Sequence, residues 1–330
     1  MSAKVAFCVV AWNNAGILPT CLDSLLAQTG VPFDIYMIDN ASTDNTRTVM
    51  ADYPQVKTTW SPVNTGFARG NNILIRKALK DPDVQYVALV NTDATLDPAW
   101  AANLVRVAES RPNVGSLQGL TLDYFDHNIV DSMHIFVNPN LHAQQYGYGK
   151  PVADGGYYPR KVFGVNAAAC MYTRPMIEAL PDRQHGFFDQ RFFMYYEDID
   201  VSYRALVCGW DAWFVPDAVA YHMGSVSTKK RGSMYSLKMI ARNTPVMAFK
   251  NTPASVLRRN LPNIVYGFFK VLQDLSGGNG ILGAAKYAVW YAQGLARLPR
   301  FAASRRRILG AQVTDDDYLR RIFRQNGILG

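Results

Sequence analysis

The chain has 330 residues, 49% of them hydrophobic, with 34 Lys and Arg against 26 Asp and Glu. That is enough apolar material for one large domain, or one domain with an appendage, and it excludes a disordered chain. Cys8, Cys21, Cys170 and Cys208 are far apart with no CxxC pair, which excludes a thiolate metal site and points to a reducing compartment.

The apolar run from Val5 to Trp12 is short and stops at Asn13-Asn14 without a small-residue cleavage site, so it reads as a first strand and not as a secretory leader. Four further runs, 33–38, 56–60, 86–90 and 114–117, are β-rich and almost continuously apolar, as strands buried on both faces should be. Helical patterns lie between them at 16–28, 44–52, 67–80 and 98–110, with Asn14, Ser42 and Asp97 as expected caps. This alternation predicts an α/β domain on a mostly parallel sheet with right-handed crossovers. Ligands of such sheets bind beyond the carboxyl ends of the strands. The polar clusters Trp12-Asn13-Asn14, Asp39-Asn40-Ala41-Ser42 and Asn91-Thr92-Asp93 all fall there.

From 121 to about 162 the pattern dissolves into Gly, Asn, His and Tyr, which predicts a long functional loop. Regular structure returns at 163–172, at a helix near 197–208 and at a strand pair near 212–222. The segment Thr228-Lys229-Lys230-Arg231 reads as mobile.

Residues 233–303 read as helices with wide apolar faces, among them Val256, Leu261, Val265 and Phe269, rimmed by Arg258, Arg259, Lys270, Lys286, Arg297, Arg300 and Arg305-Arg306-Arg307. From 242 onward there are 14 Lys and Arg against four Asp, so the positive charge belongs to the C-terminal quarter. A basic amphipathic region of this kind suits an anionic membrane surface, and it equally suits a cap packed on the sheet. No stretch reaches the roughly 18 apolar residues of a spanning helix. The division expected is 1–230, in halves 1–120 and 121–230, followed by 231–330.

Three carboxylates, Glu197, Asp198 and Asp200, crowd into four positions after Tyr195-Tyr196. Burial and mutual repulsion raise carboxylate pKa values and make a general base that works near neutral pH. Asp200 is set to pair with Arg204 at i+4 on the helix surface. At the first strand end Trp12 offers a ring face for a base, while Asp39 offers an acceptor or a turn cap. The run from Asn64 through Arg69 to Asn72 opens a helix, whose N–H groups favour anions, and Arg69 adds a fork of donors.

The ordered motifs VVAWNN (9–14), IDNASTDNT (38–46), NTGFARGNN (64–72), LVNTDA (89–94) and FFMYYEDIDVSYRALVCGW (192–210) closely resemble bacterial inverting glycosyltransferases of family 2, in their rhamnosyltransferase-like branch. The resemblance spans about 1–225 and implies the GT-A fold with a C-terminal helical region. It implies a nucleotide-sugar donor (dTDP- or UDP-linked), with Trp12, Asp39, Asn64, Arg69, Asn91 and Asp93 at the donor. Asp93 ends the DXD motif and would hold Mg²⁺ or Mn²⁺, although Asn91 replaces the motif's first Asp. His222 stands where related enzymes place a second metal ligand. Asp198 of the ED pair would be the base, with Glu197 beside it.

The function implied is transfer of a sugar, L-rhamnose first, onto a lipid-linked or polysaccharide acceptor at the inner membrane face. Transfer from a UDP-hexose or UDP-N-acetylhexosamine is the alternative. A sugar nucleotidyltransferase would need a Gly-rich loop that 11–18 lacks, and a nucleic-acid-binding protein is disfavoured because residues 1–241 are slightly acidic. His127, His134, His142 and His185 lack ligand spacing.

Overall fold

The computed structural model of the chain describes residues 3–152, 156–224 and 233–329. The basic segment 228–231 lies outside them. The expected alternation is present: β1 (Lys4–Ala11), α1 (Leu18–Leu26), β2 (Phe33–Asp39), α2 (Thr46–Met50), β3 (Lys57–Trp60), α3 (Gly66–Ala78) and β4 (Val84–Val90). β1 pairs in parallel with both β2 and β4, and β2 with β3. Successive side chains of β1 point to opposite faces. Val5, Phe7 and Val9 pack with Leu22, Trp100 and Leu104, while Ala6 and Cys8 pack with Ala68, Leu74 and Ile75. A strand buried on both sides has no room for a polar alternation, which is why its sequence is one apolar run.

The chain continues through β5 (Ala94–Leu96), α4 (Trp100–Glu109), β6 (Val114–Asp123), β7 (Val130–Ser132), β8 (His134–Val137), β9 (Ala143–Tyr146), β10 (Arg160–Val162), β11 (Ala169–Thr173), α5 (Arg174–Ala179), α6 (Glu197–Val207) and β12 (Asp211–His222). β11 enters antiparallel between β4 and β6, and β12 lies parallel to β6. The sheet is thus mixed but mostly parallel along its centre, with helices on both faces.

Three expectations change. The 121–162 segment is not one long loop, because β6 runs on to Asp123 and β8 and β9 form a hairpin. The expected strand pair near 212–222 is a single strand whose register against β6 breaks between Val215 and Val219, around Pro216, which has no N–H to give the ladder. Asn14, Ser42 and Asp97 do not cap their helices; the cap positions are Ile17, Asn45 and Ala99, without side-chain caps.

The C-terminal region consists of α7 (Ser233–Asn251), α8 (Ala254–Ala296), α9 (Ala302–Gly310), α10 (Asp316–Arg324) and β13 (Ile328–Leu329). Gly280, at φ 70°, breaks α8 into a hairpin. The rings of Phe268 and Tyr291 lie 4.9 Å apart, whereas a straight helix would separate these positions by roughly 35 Å. Val246, Met247, Phe301, Leu319 and Ile322 share a core with Ile199, Tyr203 and Leu206 of α6. That core crosses the boundary expected at 230. β13 completes the join by pairing with β10.

Two parts of the expected basic rim hydrogen-bond within the fold, Arg307 while remaining exposed. Arg297 donates to Asn243 Oδ1 (3.1 Å) and to the Arg191 carbonyl (2.8 Å). Within the triple-arginine run, Arg305 donates to the carbonyls of Phe249 and Thr252, and Arg307 to Asp182. No helix among the described residues is long and apolar enough to cross a membrane.

Candidate active site

The register pairs Ala11 with Asp39, so β1 and β2 end level, and the Asn40 N–H closes the edge on the Ala11 carbonyl at 2.8 Å. A cavity of about 430 Å³ opens beyond these strand ends and that of β4. Trp12, Asn64, Asn91 and Asp93 line it, as do Glu197, Asp198 and His222. Segments more than a hundred residues apart in sequence therefore meet in one space.

The β4 end is held in place by neighbours on both sides. The Asn91 N–H donates to the Ala168 carbonyl (2.8 Å), and Asn14 Nδ2 donates to Thr92 Oγ1 (2.5 Å). Asp93 is buried, and its carbonyl accepts the Met223 N–H at 2.8 Å. That bond sets the end of β12 against Asp93, so His222 Nε2 lies 3.4 Å from Asp93 Oδ1. On the far side of the ring, Nδ1 meets Asp131 Oδ2 at 3.1 Å. Burial alone would lower the imidazole pKa, but hydrogen bonds to Asp131 and Asp93 outweigh it and raise it to about 10.

A divalent cation fits this pair. Asp93 supplies a hard carboxylate oxygen, and the buried Nε2 of His222 stands 3.4 Å from it, so an ion binding between them would displace the imidazolium proton. Asp131 behind Nδ1 is the partner that orients a metal-binding imidazole. Among the described residues no three His, Cys, Asp or Glu side chains group closely enough to hold an ion alone. A bound ion would complete its shell from a ligand's oxygens and water.

Glu197 and Asp198 open α6, whose N-terminal dipole favours negative charge. The Ile199 N–H donates to Asp198 Oδ1 at 2.8 Å, and the Ala167 N–H approaches Oδ2 at 3.5 Å. Burial nonetheless raises the Asp198 pKa, the backbone donors offsetting only part of it. Glu197 is raised further, by burial first and then by the charge of Asp198 beside it, and its Oε2 has no partner. Asp198 reaches the cavity surface half-buried, so it is the more available of the two.

Asp200 departs from the expectation of a surface ion pair. It is wholly buried, and its Oδ2 accepts from Arg204 Nε (2.9 Å) and Lys250 Nζ (3.0 Å), its Oδ1 from Asn251 (2.9 Å). The i+4 spacing identified the partner correctly, but the packing of α7 and α9 over α6 makes the pair internal.

Two expected donor residues are placed differently from the rest. The Asp39 carboxylate is buried and accepts the Ser42 N–H at 3.3 Å, and Asp39 does not line the cavity. Arg69 is exposed on α3, also outside the lining. Asn40 takes a larger part than its sequence suggested. It lines the cavity, accepts the Thr65 N–H (2.7 Å) and donates to Asn64 Oδ1 (3.2 Å) and the Gly66 carbonyl (3.3 Å), tying β2 to the start of α3. Its position directly after Asp39 was the available signal. Asp131 had none, because it lies in the segment that read as irregular.

Residues 6–157 match the sequence profile of Glycosyl transferase family 2. The N-acetylglucosaminyl-diphospho-decaprenol L-rhamnosyltransferase of Mycobacterium tuberculosis is 26% identical over 246 residues, covering 66% of this chain and 76% of that protein. Among solved structures, GalNAc-T7 with UDP, GalNAc and Mn²⁺ superposes with TM-score 0.56 at 14% identity, over 84% of this chain and 58% of that one. The mannosyltransferase PcManGT of Pyrobaculum calidifontis, with GDP-Man and Mn²⁺, gives 0.53 at 17% identity over 94% and 86%. At these identities the structural likeness establishes the fold.

Proposed function

We propose that this chain, a glycosyltransferase of GT-A fold whose residues 6–157 match the Glycosyl transferase family 2 profile, transfers L-rhamnose from dTDP-rhamnose to a lipid-linked or polysaccharide acceptor, with inversion and with Asp198 as base. The observation that carries this reading is the single cavity in which Asp93 and His222 stand with Glu197 and Asp198. A nucleotide-sugar donor needs its diphosphate charge neutralised and its base held, whereas the acceptor hydroxyl needs a base. Both sets of groups are present within that space.

Asp93 and His222 would hold Mg²⁺ or Mn²⁺, which supplies charge neutralisation for the departing diphosphate. Trp12 offers its ring to the nucleobase, and Asn64 and Asn91 offer amides to the ribose and phosphates. Asp39 and Arg69 stand outside the cavity lining. Asp198 takes the acceptor proton as the hydroxyl oxygen bonds the anomeric carbon, and the bond to the nucleoside diphosphate breaks on the opposite face. The raised pKa of Asp198 strengthens it as a base. Glu197, beside it, orients the acceptor or the base.

The exposed surface of α8 supports an acceptor presented at a membrane. Leu261, Phe269, Ile281 and Leu282 are 56%, 62%, 84% and 67% exposed there. Arg258, Arg259, Lys270 and Lys286 are exposed on the same hairpin. An apolar surface beside cations complements an anionic lipid surface such as the cytoplasmic face of the plasma membrane. The test is a donor screen with dTDP-rhamnose and the common UDP-sugars. Turnover of dTDP-rhamnose supports the reading; turnover of a UDP-hexose or UDP-N-acetylhexosamine with dTDP-rhamnose inert replaces it.

A further inference from the structure

Three residues with side chains, Phe193 (φ 68°), Tyr195 (φ 64°) and Tyr196 (φ 74°), hold left-handed backbone within four positions, immediately before Glu197 and Asp198. Such conformations are disfavoured for bulky residues and persist only where surroundings impose them. The imposing group comes from the C-terminal helices. Asn243 of α7 is wholly buried, and its Nδ2 donates to the carbonyls of Phe192 (3.2 Å), Met194 (3.1 Å) and Tyr195 (2.9 Å).

Asn243 is itself oriented. Arg297, at the end of the α8 hairpin, donates Nη1 to Asn243 Oδ1 at 3.1 Å and Nη2 to the Arg191 carbonyl at 2.8 Å. With Oδ1 so occupied, the amide must aim its N–H groups at the loop. On the donor side the same loop is pinned by the Ala68 N–H on the Phe193 carbonyl (3.3 Å), where Gly66 leaves space that a Cβ would fill at 2.6 Å from the Phe193 ring. Tyr196 then caps α6, its carbonyl accepting the Asp200 N–H at 2.9 Å.

We propose that Asn243, oriented by Arg297, is a positioning residue that holds loop 192–196 in its left-handed path and thereby sets Asp198 against the acceptor hydroxyl. This rests on Asp198 being the base. Neither Asn243 nor Arg297 lies within the residues 6–157 that match the family. The C-terminal helices are in this sense part of the catalytic apparatus and not only its support.

The experiment compares Asn243→Asp, which keeps the side chain's size and removes both N–H groups, with wild type and Asp198→Asn. Displacement of a reacting group by about 1 Å lowers rates on the order of 100-fold. N243D is expected to lower kcat at least about 10-fold by the same argument, to leave donor Kd unchanged, and to shift the midpoint of the kcat–pH curve. A kcat equal to wild type, or a kcat loss matched by an equal loss in donor affinity with the pH midpoint unmoved, overturns the proposal. If N243D does not fold, Arg297→Met decides: a lower kcat at unchanged donor Kd supports the clamp, and an unchanged kcat removes it. Full transfer by D198N defeats the base assignment itself, whereas inactive D198N beside active N243D defeats the clamp alone.

Discussion

Replacing Lys250 with Met tests how firmly the C-terminal helices are joined to the catalytic half. The Lys250 ammonium lies 2.8 Å from Asp189, 3.0 Å from Asp200 and 3.7 Å from Asp182, and all four side chains are 0–1% exposed. Arg204 is the other cation buried with them; Arg191 and Arg307, which also reach this group, are 20% and 40% exposed. Without Lys250, three buried carboxylates keep one fully buried cation. Breaking a buried ion pair by deleting one partner costs about 3–5 kcal/mol, because the remaining charge is desolvated without compensation. For 330 residues that corresponds to a Tm lower by roughly 4–7 °C. The assay is thermal and urea unfolding followed by circular dichroism and tryptophan fluorescence, with both probes expected to shift together. Adding Asp189→Asn should recover part of the loss, since it removes one carboxylate left short of a partner. A K250M Tm within 2 °C of wild type, or a shift in the helical signal alone, would refute the coupling.

Chelation of divalent ions should abolish transfer and Mn²⁺ or Mg²⁺ restore it, while Asp93→Asn should weaken metal-dependent donor binding at least about 10-fold, measured by calorimetry with and without metal. Glu197 has a raised native pKa, so the folded state holds its proton more tightly than the unfolded one. Its contribution to stability is therefore complete below the unfolded value of about 4.3 and lost as pH climbs through the raised native value. Glu197→Gln should accordingly gain Tm relative to wild type at pH 8 and show little gain near pH 4; an equal gain at both would contradict the assignment. Leu261→Ser/Phe269→Ser/Ile281→Ser should reduce cosedimentation with vesicles rich in anionic lipid without lowering Tm, and unchanged binding would remove α8 as the membrane contact.

The parallel half of the fold was legible because strands buried on both faces leave unbroken apolar runs, as in Val5–Val9 against the two cores. The polar clusters at strand ends were equally plain, since the fold class dictates where ligands sit. Depth was not legible. The Asp200–Arg204 spacing named the pair, yet nothing local said that Lys250 and Asn251 would arrive from fifty residues away and bury it. The Asp131 contact to His222 and the Asn243 contacts to loop 192–196 were hidden for the same reason, being single long-range bonds without periodicity. Pro216-Asp217 imitated a turn because a proline break in a strand and a hairpin look alike in one dimension. Arg297, Arg305 and Arg307 read as a solvated basic rim, but guanidinium groups satisfy buried carbonyls well and three of them do so here or reach a buried carboxylate.

The central claim is that Asp198 removes the acceptor proton. Single-turnover transfer by Asp198→Asn, with donor affinity measured in parallel, tests it directly. Loss of a general base predicts kcat lower by about 10²–10⁴-fold, with donor Kd within about two-fold because Asp93, His222 and Trp12 are untouched. Transfer by D198N at near wild-type rate, with donor still bound, would contradict it.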